Sequence, residues 1–241
     1  MNGVTNKNSG STVLSSFAYT LDADGRRTSV SESDGSVVNY GYDWGSRLIS
    51  EVRTGTNPYS YSYTLDAVGN RTSETLGSTT TSFTLDNDDE LTGTSGGFTN
   101  SYSYNANGEQ TGRTLSGTAN TLAFDYDGEL TSITQGTNVT SFEYDALGRR
   151  TSRTAGGTTT SFQYAGNVLL LEKQGTSVTA TYTSGNGLLR KDGEYPMTDG
   201  LSSERTVTNS SQTVTGAINY DAFGNTVGTA GSSTDPYMFA G

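Results

Sequence analysis

The 241-residue chain has no cysteine and no histidine, only three prolines and a single tryptophan. Without Cys or His there can be no Ser-His-Asp triad, no thiol nucleophile, no Cys/His zinc site and no disulfide framework. Positive charge is scarce too: 14 Lys and Arg face 25 Asp and Glu, for a net charge of −11. A phosphate backbone would find too few cations to bind, so no nucleic-acid partner is expected. The longest run of large apolar residues, Val168-Leu169-Leu170-Leu171, is far too short to span a membrane. The N-terminal stretch Met1-Asn2-Gly3-Val4-Thr5-Asn6-Lys7-Asn8 lacks the apolar centre of a secretory signal. Aliphatic residues are also few. Leu, Ile, Val and Phe number 41 of 241, below the roughly 20% at which charged chains tend to stay unfolded. A core therefore has to draw on other residues.

The 15 tyrosines supply it, because a buried ring contributes large apolar area once its hydroxyl finds a partner. They recur periodically. The unit is an aromatic, any residue, Tyr or Leu, then Asp or Asn, and Gly three residues later. It reads Tyr19-Thr20-Leu21-Asp22-Ala23-Asp24-Gly25, Tyr40-Gly41-Tyr42-Asp43, Tyr63-Thr64-Leu65-Asp66-Ala67-Val68-Gly69 and Phe83-Thr84-Leu85-Asp86. It continues as Tyr102-Ser103-Tyr104-Asn105-Ala106-Asn107-Gly108, Phe124-Asp125-Tyr126-Asp127 and Phe142-Glu143-Tyr144-Asp145-Ala146-Leu147-Gly148-Arg149. Phe162-Gln163-Tyr164 is a decayed copy, and Ile218-Asn219-Tyr220-Asp221-Ala222-Phe223-Gly224-Asn225 the last. The acidic or amide positions 22, 43, 66, 86, 105, 127 and 145 recur about every 20 residues.

Residues at i and i+2 share one face of a strand, and the Thr, Ser or Glu between them faces outward. Asp or Asn then starts a turn by bonding the local backbone, and Gly accepts positive φ. A second polar strand follows, such as Arg149-Arg150-Thr151-Ser152-Arg153-Thr154. Each unit is thus a hairpin, and Thr, of which there are 41, suits the pleat. The expected fold is all-β: tandem hairpins of about 20 residues in a continuous, spiralling antiparallel sheet, a partial shell or solenoid. Residues 1–167 are expected to hold the tandem hairpins, with 168–241 continuing the same sheet. Gly148 is expected at a positive-φ turn position, and Gly175 in an unconstrained loop.

The run Tyr144-Asp145-Ala146-Leu147-Gly148-Arg149 and its relatives resemble the tyrosine-aspartate (YD) repeats of Rhs proteins. Tyr195-Pro196-Met197-Thr198-Asp199-Gly200-Leu201-Ser202-Ser203-Glu204-Arg205 is similar to the start of the Rhs core segment. So are Tyr220-Asp221-Ala222-Phe223-Gly224-Asn225 and Asp235-Pro236-Tyr237-Met238-Phe239-Ala240-Gly241 to its later motifs. The departures are Ser202 for Gly, Asp235 for Asn and Met238 for Arg. The resemblance implies a sheet that spirals into a hollow shell, as in bacterial polymorphic toxins, toxin-complex components and animal adhesion proteins. It also implies an enclosed effector polypeptide in a longer parent protein. The self-cleavage that releases such an effector is not carried over, because Asp235-Pro236 belongs to the earlier core motif.

Four sharper readings compete with plain structural ones. The aromatics could stack on sugars, but their same-face spacing makes them the core. Asp86-Asn87-Asp88-Asp89-Glu90 could bind Ca²⁺, yet it lacks the EF-hand glycine and glutamate and falls where a turn belongs. Asp22, Asp66, Asp145 and Asp221 could pair as glycosidase carboxylates, but their periodic placement argues for turn capping. Asn70, Asn138 and Asn209 head glycosylation patterns that arise easily in a chain this rich in Ser and Thr. No catalytic, cofactor-binding or metal-binding residue is expected, and no cofactor. The expected function is a non-enzymatic wall segment or a self-assembling, filament-forming building block, bacterial and acting outside the cytoplasm. The alternatives are a shell fragment of a larger toxin and a carbohydrate-binding adhesive surface. Self-association is expected through terminal strand edges, with the hairpin near Phe17–Arg27 docking on the one near Tyr220–Phe239.

Overall fold

A computed structural model describes residues 2–185 and 187–231, without the side chains of 187–189. The described residues contain no helix. The first strands are β1 (Gly3–Lys7), β2 (Val13–Leu21), β3 (Arg27–Glu32), β4 (Val37–Tyr42), β5 (Leu48–Thr54) and β6 (Tyr59–Leu65). Then come β7 (Arg71–Leu76), β8 (Thr79–Leu85), β9 (Leu91–Gly96), β10 (Asn100–Tyr104), β11 (Gln110–Leu115) and β12 (Thr118–Phe124). They are followed by β13 (Leu130–Gln135), β14 (Asn138–Tyr144), β15 (Arg150–Ala155), β16 (Thr158–Ala165), β17 (Val168–Gln174) and β18 (Ser177–Gly185). The last are β19 (Gly187–Lys191), β20 (Tyr195–Thr198), β21 (Glu204–Thr208), β22 (Val214–Tyr220) and β23 (Thr226–Gly231). Nineteen strands belong to one antiparallel sheet, and β20–β23 form a second.

The chain divides into two compact units. The first comprises residues 1–69, 74–78 and 185–241, and the second 70–73 and 79–184. In the first, consecutive strands pair from β1 to β6 and, separately, from β20 to β23. In the second they pair from β8 to β18. Pairing crosses residues 167 and 168 unbroken, since β16 pairs with β17. Residues 168–241 are expected to continue that sheet, and among the described residues β20–β23 pair in a sheet of their own. Asp192 and Gly193 turn the chain with φ of 49° and 91°, and only an isolated bridge, Lys191 to Glu194, follows. Pro196 lies in β20 and has no N–H to offer a further neighbour, which suits a sheet edge.

One turn design recurs. The Asp22 N–H donates to the Arg26 carbonyl, and the Gly25 N–H to that of Asp22. The same pair of bonds closes turns at Asp145 and Asp221. Each such turn brings a one-residue slip in register, at Thr20/Leu21, Glu143/Tyr144 and Asn219/Tyr220, as expected of a hairpin loop with a bulge. At the opposite ends of the strands, tight turns such as that at Gly175 join the hairpins. Gly148 has a φ of 73° and Gly175 one of 59°. Gly175 is therefore not unconstrained: a tight turn needs the left-handed conformation as much as the wide one does. Valine at either position should cost about 1–3 kcal/mol in melting experiments, because a β-branched residue is strained there. Gly10 has no positive φ, and an added Cβ would meet only the Asn8 Oδ1 at 3.4 Å. Gly10→Ala should therefore leave the melting temperature nearly unchanged.

The aromatic face is packed unevenly. In the first unit Phe17, Tyr19, Val30 and Val38 form a buried cluster edged by Val4 and Tyr40. Tyr61 and Tyr63 are buried as well. In the second unit Leu122 and Tyr182 are buried, but Phe142, Tyr144, Phe162 and Tyr164 are only half-buried. One repeat is also framed differently from the sequence alignment. Asp125, not Asp127, opens its turn, because the Asp125 N–H donates to Glu129 and Gly128 donates back to Asp125. Tyr126 therefore sits at the turn tip, fully exposed, and Leu122 with Phe124 takes the inward positions.

Candidate functional site

The side chains that define each repeat are engaged with backbone. Asp22 Oδ1 accepts the Asp24 and Arg26 N–H groups at 3.0 and 2.9 Å, while its Oδ2 accepts Arg26 Nε at 2.7 Å. Asp145 does the same with Leu147 and Arg149. Its carboxyl is held below the usual range by the Arg149 hydrogen bond. The second aromatic of the repeat, which usually precedes its acid or amide, reaches back one hairpin. The Tyr42 hydroxyl donates to the Arg27 carbonyl at 2.8 Å, Tyr104 to Leu91 at 2.9 Å, and Tyr144 to Leu130 at 3.0 Å. Tyr164 donates to Arg150 at 2.9 Å. Each accepting carbonyl opens a strand beside a bulge, where the ladder is interrupted. The tyrosine-aspartate pair thus works as a stitch: the acid shapes its own turn and the phenol ties it to the preceding strand pair.

Residues weighed for sharper roles fall into this scheme. Asp22, Asp66, Asp145 and Asp221 each accept hydrogen bonds from their own turn. Asp86 Oδ1 accepts the Asp88 and Glu90 N–H groups at 2.9 and 3.0 Å, so the acidic stretch 86–90 is one more such turn. Burial together with the Asp86 and Asp88 charges pushes the Glu90 carboxyl up. Asn209 Oδ1 caps a turn through Ser211 and Thr213, and Asn70 Nδ2 donates to Asp89. Asp235 and Pro236 lie outside the described residues. The expected docking hairpin, Phe17–Arg27, is not an open edge, because β2 already has β1 on one side and β3 on the other.

The densest polar constellation lies where β20–β23 cover the aromatic face of the first unit. Glu32, on β3 opposite Phe17, receives Arg53 Nη1 and Nη2 at 3.0 and 2.7 Å. Arg205 from β21 adds its Nη2 to Glu32 at 2.7 Å and also bonds Ile218 O and Asn219 Oδ1. Its Nη1 stands 3.3 Å from Asp199, and its guanidinium 4.7 Å from the Phe17 ring centroid. Arg53 is 2% exposed, so the pair with Glu32 is a buried one. Beside it Glu51, 1% exposed, accepts the Tyr59 hydroxyl at 2.6 Å and the Ala222 N–H at 2.8 Å. The Tyr19 hydroxyl accepts the Gly200 N–H at 2.6 Å. A cavity of about 50 Å³ and another of about 330 Å³ flank the cluster. Sequence reasoning did not single out these residues. The available signal was charge at inward strand positions: Arg53 opposes Val38 and Glu51 opposes Tyr40.

The two buried glutamates titrate in opposite directions. Burial opposes ionisation of Glu32, but the hydrogen bonds and charges of Arg53 and Arg205 outweigh it and hold the carboxyl below its ordinary 4.5. Burial pushes Glu51 up, with the Asp221 charge adding, against the Tyr59 and Ala222 bonds. A lowered folded pKa gives stability that is present above the unfolded value and lost as pH falls through the folded one. A raised pKa gives stability that is full below the unfolded value and lost as pH rises through the folded one. Melting temperature should therefore rise from neutral pH into mild acid and fall again once Glu32 protonates. Glu51→Gln should reduce the rise and keep the fall, with the less buried Glu90 and Glu129 supplying the small remainder. A monotonic profile identical in both proteins would contradict this.

The arrangement holds strands and covers a sheet face. Among the described residues no group of three or more Asp and Glu is placed to hold a metal ion. A family model described as Teneurin YD-shell matches residues 25–241. No curated protein sequence matches the chain. Among solved structures it is similar to the Photorhabdus luminescens Tc holotoxin pore in a TccC3-mutant form. The two share 13% identity with a TM-score of 0.44, over 99% of this chain and 18% of that one. It is also similar to TcdB2-TccC3 without its hypervariable C-terminal region, at 14% identity and a TM-score of 0.45, over 99% and 18% of the two chains. The chain spans less than a fifth of the length of either.

Proposed function

The chain belongs to the Teneurin YD-shell family, and we propose that it acts as a non-catalytic wall segment of a shell that encloses another polypeptide. The observation that supports this reading is the use made of its acids and phenols. Asp22, Asp145 and Asp221 shape turns, Tyr42, Tyr104 and Tyr144 bind neighbouring backbone, and Glu51 is occupied by Tyr59 and Ala222. A general acid or nucleophile has to face substrate instead. The proposal includes a bacterial source and a site of action outside the cytoplasm. Limited proteolysis of the full natural polypeptide tests it. An enclosed segment should survive protease until the wall itself is cut. Cleavage at the same protease concentration with the wall folded or unfolded would contradict enclosure.

A second reading, self-association through strand edges, is supported by β23. Among the described residues it pairs with β22 alone, leaving its other side as a template for another strand. Light scattering at rising salt should then show growing particles, because screening weakens the self-repulsion of a net charge of −11. A particle of constant monomer mass at every salt and protein concentration would end that reading.

A further inference from the structure

The aromatic face of the second unit carries positive charge. Arg150 opposes Tyr144, and its guanidinium lies 5.4 Å from the Phe142 ring centroid and 5.1 Å from that of Phe162. Arg153 stands opposite Phe142 on one side and Thr160 on the other. Further along the same face Arg113 opposes Tyr102, and its buried Nε has no hydrogen-bond partner. Among the described residues none of these three arginines forms an ion pair with a carboxylate. The acid on this face, Glu172 opposite Phe162, accepts the Tyr182 hydroxyl at 2.6 Å. A guanidinium flanked by two rings keeps its N–H donors in the plane between them, set for two-point binding of a carboxylate.

The first unit shows what such a face receives. Arg27 opposes Leu21 as Arg150 opposes Tyr144, and it lies 4.0 Å from the Tyr19 ring centroid. The cavity that Arg27 lines is also lined by Asp199 and Asp221 from the covering β20–β23 sheet. There the turns opened by Asp199 and Asp221 are already seated over the aromatic face, and they bring two acidic residues to the cavity.

We propose that the face formed by Phe142, Arg150, Arg153 and Phe162 is a docking site for an extended polypeptide segment that turns carboxylates toward the sheet. This does not depend on the wall reading. Arginine with aromatic rings also suits single-stranded nucleic acid. Asp86, Glu90, Glu109, Asp125 and Glu129 on the turns of the same unit would repel a phosphate backbone. A peptide can instead place single carboxylates between apolar side chains.

Fluorescence anisotropy on the full chain tests the site, with a labelled valine-threonine peptide carrying two aspartates as probe. Saturable binding is expected, weakened about tenfold by each of Arg150→Gln and Arg153→Gln. Arg150→Lys should recover part of the loss in Arg150→Gln, and Glu143→Gln, on the outward face, should bind as the parent does. Melting curves identify any variant whose loss comes from unfolding, and the lysine variant then serves in its place. Equal binding of a lysine-valine peptide, equal competition by oligothymidine, or unchanged binding by the folded arginine variants would overturn the proposal.

Discussion

Replacing Glu32 with glutamine should destabilise the first unit by about 3–5 kcal/mol, the usual cost of leaving a buried charge without its partner. Two guanidinium groups depend on this carboxylate. Arg53 loses the charge behind both of its bonds to Glu32, keeping Thr56 O and the more distant Asp34 at 3.8 Å, and Arg205 loses the charge behind its closest bond. Because Arg205 belongs to β21, the damage should also loosen the sheet that covers Phe17 and Tyr19. Asp22→Asn, at an exposed turn pair, should cost far less, since surface ion pairs contribute little. Replacing Glu32, Arg53 and Arg205 together with apolar residues of similar volume should recover part of the loss, because no guanidinium then remains buried alone, while Asp199 keeps only its turn N–H bonds. Urea titrations of the three proteins provide the comparison. A Glu32 variant as stable as the parent would mean that water reaches the cluster and screens it.

The second large effect concerns the uneven packing of the aromatic face. Phe17→Ala should cost about 3–5 kcal/mol, because the ring is 4% exposed and the space it leaves is closed in by Tyr19, Val30 and Val38. Tyr144→Ala, at an inward position of a half-buried strand, should cost about 2 kcal/mol, from partial burial and the lost bond to Leu130. Tyr144→Phe isolates that bond and should cost about 1 kcal/mol. Glu143→Ala, on the outward face, should stay within about 0.5 kcal/mol. Equal costs at Phe17 and Tyr144 in chemical denaturation would show that the second unit is as closely packed as the first.

Much of this architecture is legible in the sequence because each repeat carries its own instructions. An inward pair such as Phe142 and Tyr144, a capping Asp145 and a left-handed Gly148 specify a hairpin within a few residues of chain. Where another residue takes the left-handed position, the pattern fades. Ser11 and Gln212 adopt φ of 65° and 61°, so the turns opened by Asn8 and Asn209 escape a search that requires glycine. Tyr126 misleads for a related reason: an aromatic at a turn tip imitates the inward position two residues away. The charge cluster is hidden more deeply. Glu32 and Arg205 meet from positions 173 apart, through two sheets whose packing no local spacing encodes. The separate sheet of 195–231 is hidden likewise, since its turns at Asp199 and Asp221 use the same grammar as all the others.

The buried charges of the first unit join residues 195–231 to the aromatic face of β2–β6, as the proposed wall role requires. Hydrogen–deuterium exchange on the whole chain, read by mass spectrometry, tests it most directly. Peptides covering β2–β6 and those covering β21 and β22 should be protected together and should lose protection together in the Glu32→Gln protein. Rapid exchange across β21 and β22 while β2–β6 stay protected would contradict it.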